Sequence, residues 1–405
     1  MVATDTNRNC VSFGSCEVDL ANFEVRHGGK RHPVEPQVFD LLAFLVSNPD
    51  RLITKDELIE KVWNGRIVSD ATLASRLKAA RRAIGDDGEQ QKLIRTIHGR
   101  GIRFVGRLNA RTDPPPPEPL KQDIRFCRAR DGVRLAYATT GSGPPLVKPA
   151  NWLSHLEYDL LSPVWRHWIR ELSRDHTLVR YDKRANGLSD WDVEELSFDA
   201  LVGDFEAVID AAGLERFPVF CLSQGCAIAI AYALRNPGRI TRMVLFGGYA
   251  RGWGRRGNDT IEAQRAALGT LMQHGWGQDN PVFRQIFTSM FIPDGTAEHQ
   301  RWFNDIQRRA ASPGNAYRIH KLVGEIDIRH MLPKIDVPTL VLHARDDHVV
   351  PFEEGRILAR EIPGARFVPL DSRNHILLET EPAWERLLAE VRDFLSQDVG
   401  QSPAS

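Results

Sequence analysis

The chain is poor in the features that would mark several broad function classes. Its five cysteines, Cys10, Cys16, Cys127, Cys221 and Cys226, contain no Cys-x-x-Cys pair and are odd in number, which argues against a disulfide framework and for a reducing compartment. No apolar run approaches the roughly 20 residues of a membrane span. The longest lies near Cys226 to Leu234. The start, Met1-Val2-Ala3-Thr4-Asp5, has no basic stretch followed by an apolar run, so no secretory signal and no membrane partner are expected, and the cytoplasm is the expected location. There is no phosphate loop, no dinucleotide fingerprint and no clustered metal-ligand spacing, so neither a cofactor nor a metal is expected. Net charge is also absent, at +0.

What is present is unevenly distributed. The 405 residues are 42% hydrophobic and 26% charged, which is ordinary for soluble globular domains and long enough for more than one core. A proline run, Asp113-Pro114-Pro115-Pro116-Pro117-Glu118-Pro119, divides the chain. Before it, Arg66 to Arg107 carries ten Lys/Arg against four acids, a local excess that suits a polyanion and equally suits a solvated face.

The first hundred residues read as α+β. Alternating segments Val11 to Leu20 and Phe23 to Val34, joined through His27-Gly28-Gly29-Lys30, read as a short antiparallel sheet with a Gly-Gly turn. Three helices follow. One starts at Pro36 and stops at Asn48-Pro49. The second has the capping box Thr54-x-x-Glu57, and the third is capped by Ser69 with Leu73, Leu77, Ala80 and Ile84 on its core stripe. Its opposite face presents Ser75, Arg76, Lys78, Ala79 and Arg82, small residues for close approach and cations that can fork onto guanine edges or phosphates. A hairpin with a Gly-x-Gly tip then carries Arg100 and Arg103. This order, with "PQVFDLLAFLVSNPDRLITKDELIEKVW", "VSDATLASRLKAARRAIGD" and "IRTIHGRGIRFVG", resembles the output domain of OmpR/PhoB-type response regulators, a winged helix-turn-helix, over residues 11–107. The resemblance implies DNA as a partner, with Ser75, Arg76, Lys78 and Arg82 on the reading helix and Arg100 and Arg103 on the wing. It also implies a homodimer, because members commonly bind repeated half-sites as pairs. No receiver is expected before this domain and no membrane span after it, so the signal is expected from the second half.

Beyond a linker placed at 108–121, six extended apolar segments from Pro145 to Leu370 alternate with helical ones, the rhythm of a doubly wound, mostly parallel sheet. Such sheets bind ligands at the carboxyl ends of their strands. Phe217 to Gly225 runs from a buried strand into a helix and places Ser223 on the intervening turn, with Cys221 where the usual Gly-x-Ser-x-Gly has its first glycine. Asp347 follows a strand in "HARDDHVVP" and fits the spacing to Val349-Val350-Pro351 better than Asp346, and His375 follows another in "LDSRNHILLETEP". The order Ser, Asp, His, each just past a strand, resembles the α/β-hydrolase fold over residues 122–397. It implies a catalytic triad of Ser223, Asp347 and His375 and an oxyanion hole from the Gln224 N–H plus that of Trp152 or Leu153. The segment at about 251–325 is expected to form a helical lid whose aromatics either suit an apolar or aromatic ligand or simply fasten the lid to the body.

Three readings remain open from the sequence. The chain is a one-component regulator that binds, and in one version cleaves, a small ester or lactone; or it is a serine hydrolase with an accessory DNA-binding domain; or it is a hydrolase-fold receptor without turnover.

Overall fold

The computed structural model describes residues 10–20, 23–63, 65–66, 68–97, 99–108 and 120–397. The chain divides into two compact units, Met1–Glu118 and Pro119–Ser405. The expected proline-rich linker lies outside the described residues save positions 108, 120 and 121, as does His98 of the expected wing.

In the first unit each alternating segment folds back on itself. Strands β1 (Cys10–Phe13), β2 (Cys16–Asp19), β3 (Glu24–His27) and β4 (Lys30–His32) form an antiparallel meander in chain order. The β3–β4 turn is Gly28-Gly29, with φ of 57° and 75°, the left-handed pair that a tight hairpin turn requires. Helices α1 (Pro36–Val46), α2 (Lys55–Val62) and α3 (Asp70–Ala83) follow. The expected capping box on α2 is half formed: Thr54 Oγ1 accepts from the Glu57 N–H at 3.2 Å, but the Glu57 carboxylate pairs with Arg51 instead of returning to the cap. Leu77, Ala80 and Ile84 of the α3 stripe are buried, and Leu73 is half-buried at its edge. A hairpin of β5 (Ile94–Ile97) and β6 (Gly101–Phe104) closes the unit over Phe13, Leu41, Leu42 and Leu45.

The second unit is built on one eight-stranded sheet. Its strands are β7 (Gln122–Arg128), β8 (Arg134–Thr140), β9 (Pro145–Lys148), β10 (Thr177–Asp182), β11 (Phe217–Leu222), β12 (Ile240–Phe246), β13 (Thr339–Ala344) and β14 (Arg366–Leu370), in the spatial order β14-β13-β12-β11-β9-β10-β8-β7. The six strands from β9 onward are parallel, and β7 and β8 add an antiparallel edge. Helices α4 (Leu156–Leu161), α5 (Arg166–Leu172), α6 (Phe198–Ala211) and α7 (Gln224–Arg235) connect the first strands. Four helices, α8 (Asp259–Gly275), α9 (Val282–Phe291), α10 (Ala297–Ala310) and α11 (Pro313–Glu325), fill the excursion between β12 and β13. Helices α12 (Phe352–Glu361) and α13 (Pro382–Ser396) complete the unit. The central strands are buried on both faces, as parallel strands between helices must be, which is why they read as continuous apolar runs. The β7–β8 edge escaped the sequence reading because β7 is half solvated and carries Gln122, Asp123, Arg125 and Arg128 among its seven residues. Among the described residues no helix is long and apolar enough to cross a membrane.

Candidate functional site

On the first unit, α3 presents Ser75, Lys78 and Arg82 to solvent. Arg76 is different: its guanidinium is ion-paired with Glu35, next to the start of α1, so it is not a free cation on the reading face. Ala79 is half-buried and packs on the core. Arg81 belongs to the basic run by sequence but is buried, donating through Nε and Nη2 to the Ile94 carbonyl and through Nη2 to Thr96 Oγ1, so it ties the helix to the β5–β6 hairpin. Arg100 is exposed at the hairpin turn, whereas Arg103 lies half-buried along β6. Gly101 is dictated by a close approach. At φ 146° a Cβ there would sit 2.1 Å from the Ile53 carbonyl oxygen, where the hairpin is hydrogen-bonded to the chain preceding α2.

In the second unit the three sequence-selected residues converge at the carboxyl edge of the sheet. Ser223 follows β11 as the cap residue of α7, with φ 53° and ψ −123°, an unfavourable conformation for a residue with a Cβ and one that lifts a side chain out of the strand-to-helix turn. Cys221 is accommodated in place of glycine as a fully buried side chain. The Ser223 N–H donates to the Phe246 carbonyl at 2.9 Å, and the next residue, Gly247, packs on the His375 ring, where a Cβ would lie 3.1 Å from Cε1. The Ser223 turn and the imidazole therefore share the end of β12.

His375 Nδ1 lies 2.7 Å from Asp347 Oδ2, both side chains fully buried. The other oxygen of Asp347 accepts from the Val349 and Val350 N–H groups at 2.8 and 2.9 Å. Burial alone would raise this carboxyl's pKa. The charge and hydrogen bond of His375, with help from His343 and the Val350 N–H, outweigh it and hold Asp347 below the ordinary carboxylate range. An ionised Asp347 requires the proton on Nδ1, which leaves Nε2 as the acceptor. Nε2 is buried and has no hydrogen-bond partner, so the Ser223–His375 bond is not formed. Such bonds are often loose before substrate binds.

Two backbone donors were expected around Ser223. The Gln224 N–H is the first of α7, a position without an intrahelical acceptor. The loop after β9 reaches it because residue 225 is glycine: a Cβ there would lie 3.2 Å from the Pro149 and 3.3 Å from the Ala150 carbonyl oxygens. Sequence reasoning missed the residue that fixes this loop. Lys183, fully buried at the end of β10, donates Nζ–H to the carbonyls of both Asn151 and Trp152. Each trans peptide points its N–H opposite to its carbonyl, so these two bonds set the direction of the Trp152 and Leu153 amides. Burial pulls the Lys183 ammonium down to about 7.

The lid aromatics divide into two groups. Trp276 is fully buried with Nε1 donating to the Gln307 carbonyl, which ties the end of α8 to α10, and Trp302 packs on Tyr158 of α4, which holds the lid to the body. Phe287, Phe291 and Trp253 line the cavity over Ser223. The Trp152 indole stacks on Phe287 and Phe291, with ring centres 6.3 and 6.4 Å apart. Beside these aromatics, Arg256 and Arg265 face the same cavity, so its wall carries charge that the expected apolar or aromatic ligand does not account for.

The alpha/beta hydrolase fold family model matches residues 159–382. The chain belongs to the α/β-hydrolase fold family. A second model, the C-terminal domain of transcriptional regulatory proteins, matches residues 29–104, so an OmpR/PhoB-type DNA-binding domain is joined to the hydrolase fold. The AB hydrolase superfamily protein YisY of Bacillus subtilis is 26% identical over 253 residues, 62% of this chain and 91% of that protein. The DNA-binding response regulator MtrA of Mycolicibacterium smegmatis is 29% identical over 100 residues, 24% of this chain and 44% of that protein. An esterase structure from Exiguobacterium antarcticum matches with a TM-score of 0.58 at 23% identity, covering 67% of this chain and 99% of the esterase. That likeness speaks for the fold alone.

Proposed function

We propose that the protein is a one-component transcription regulator whose winged helix binds DNA and whose α/β-hydrolase unit senses, and cleaves, a small ester or lactone. The observation that carries this reading is the buried Asp347–His375 pair beside the strained Ser223 turn, in a chain that also carries a DNA-binding domain. His375 Nε2 takes the Ser223 hydroxyl proton as Oγ attacks the acyl carbon. The Gln224 and Trp152 N–H groups receive the developing oxyanion, and the protonated imidazole returns its proton to the leaving alkoxide. Water then repeats the sequence on the acyl-enzyme. Ser75, Lys78 and Arg82 contact the major groove, Arg76 joins them once released from Glu35, and Arg100 and Arg103 contact the backbone from the wing. The protein acts as a homodimer on paired half-sites, in the cytoplasm.

A second reading, a receptor without turnover, is favoured by the unpartnered Nε2. Ser223→Ala separates the two. Regulation by turnover predicts that this variant binds ligand and DNA but no longer releases alcohol from esters or switches a reporter; a receptor predicts an unchanged reporter response. Lys78→Ala with Arg82→Ala should abolish DNA binding while ester cleavage continues, and an unchanged gel shift would overturn the assignment of α3.

A further inference from the structure

The cavity over Ser223 is lined by two guanidinium groups and by no carboxylate. Arg265, on α8, has no ion-pair partner among the described residues. Its contacts are weak ones, Nη1 to the Met290 sulfur at 3.8 Å and Nη2 to the Val349 carbonyl at 3.3 Å. Arg256, only 9% exposed in its side chain, donates Nε to the Arg251 carbonyl at 3.1 Å and lies 6.0 Å over the Tyr249 ring. The carboxylate nearest to it, Glu354 at 3.9 Å, already accepts from both Nε and Nη2 of Arg251 and from the backbone N–H groups of Ala250 and Arg251. Asp347 is likewise committed to His375 and to two backbone amides.

Arg265 has no paired anion, and Arg256 shares the one buried Glu354 carboxylate with Arg251, so the wall carries an excess of partly desolvated positive charge that is costly unless a ligand completes the set. Further polar groups in the same cavity wait for a partner. The Tyr249 hydroxyl and the Gln224 amide, its NH₂ a donor and its oxygen an acceptor, are buried and unpaired, in residues 5% and 1% exposed. His320 adds no third positive charge: burial pulls it down to about 4, so the neutral ring donates Nε2–H to the Arg265 carbonyl at 2.9 Å. A hydrocarbon or simple aromatic ester would leave all of these groups unsatisfied. A planar carboxylate matches a guanidinium in charge and fork geometry.

We propose that the natural ligand carries a carboxylate in addition to its acyl group, the carboxylate held by Arg265 and Arg256 while the acyl carbon rests at Ser223. This deepens the reading of the cavity as an acyl site and rests on it. The chemical class is a monoester or lactone derived from a short dicarboxylic acid.

Monomethyl and dimethyl glutarate share an acyl chain and differ by one charge. Methanol release followed by NMR should show kcat/KM at least tenfold higher for the monoester. Arg265→Met should erase that preference, and Arg265→Lys should retain part of it. A preference for the diester, or one that survives Arg265→Met, overturns the proposal. If neither ester is cleaved, turnover is what has failed, and binding decides the charge question separately. In Ser223→Ala, quenching of tryptophan fluorescence, to which Trp152 and Trp253 contribute from the cavity wall, should saturate at least tenfold lower in monoester than in diester. Equal affinities, or an unchanged ratio in Ser223→Ala/Arg265→Met, would contradict the anion site.

Discussion

Replacing Asp347 by asparagine tests the chemistry with almost no change in shape. The amide oxygen can keep both backbone bonds, from Val349 at 2.8 Å and Val350 at 2.9 Å, so the loop after β13 should hold. The amide nitrogen would then face His375 Nδ1, now 2.7 Å from a carboxylate oxygen. An NH₂ group donates, so Nδ1 must become the acceptor and the ring proton moves to Nε2. Ser223 then faces a donor and has no base. In serine hydrolysis the wrong tautomer lowers kcat by about 10⁴, which is about 5.5 kcal/mol of barrier. Ester cleavage by Asp347→Asn should fall by that order, with ligand affinity in the Ser223→Ala background unchanged and the melting temperature of the hydrolase unit within a few degrees of the parent. Activity within tenfold of the parent in a folded variant would refute the role assigned to the pair.

Three further outcomes follow from other parts of the molecule. Lys183→Met removes the donor that orients the Asn151 and Trp152 carbonyls; loss of one oxyanion donor lowers kcat by about 10² to 10³ with KM nearly constant, and a change confined to KM would rule out this positioning role. Relief of the Arg76–Glu35 pair by Glu35→Gln should tighten DNA binding, and Arg82→Ala should reduce the slope of log affinity against log salt by about one unit; an unchanged slope in titrations by fluorescence anisotropy would remove Arg82 from the phosphate contacts. Acid should unfold the hydrolase unit. Burial lowers His167 and His320 from 6.5 to about 4, so between those values the unfolded chain binds protons that the folded state refuses. Stability is therefore full above pH 6.5 and is lost as pH falls toward 4, by about 3 kcal/mol per histidine. His167→Gln should shallow the fall of melting temperature over that window, and an identical profile would contradict it.

The fold was legible wherever burial is two-sided or a turn has its own chemistry. Phe217–Leu222 is apolar along its whole length and Thr339–Ala344 is apolar apart from Thr339 and His343, and each is followed within a few residues by the serine or aspartate it positions. The edge hairpin Gln122–Thr140 was less legible, since an edge strand's polar alternation resembles a loop. At the site, Ser223, Asp347 and His375 could be found because topology restricts such residues to strand ends. Lys183 could not, because its role depends on two carbonyls about thirty residues earlier that only the folded chain brings to it. Arg256, before α8, and Arg265, on α8, resemble solvated charges in the sequence; Arg265 is held inward where α8 packs on α11, with its carbonyl bonded to His320. Arg76 and Arg81 show the converse. Both counted as free cations in the basic run, yet one is ion-paired with Glu35 and the other is buried against Ile94.

The most direct test of a regulator driven by its acyl site joins both units in one sample. The full chain is treated with a fluorophosphonate, the modified residue is located by mass spectrometry, and affinity for DNA selected from a random pool is measured before and after labelling. The account predicts one adduct, on Ser223, absent in Ser223→Ala, and an affinity changed at least threefold by it. A chain that binds the selected DNA equally well with and without the adduct, or that takes no adduct at Ser223, would contradict it.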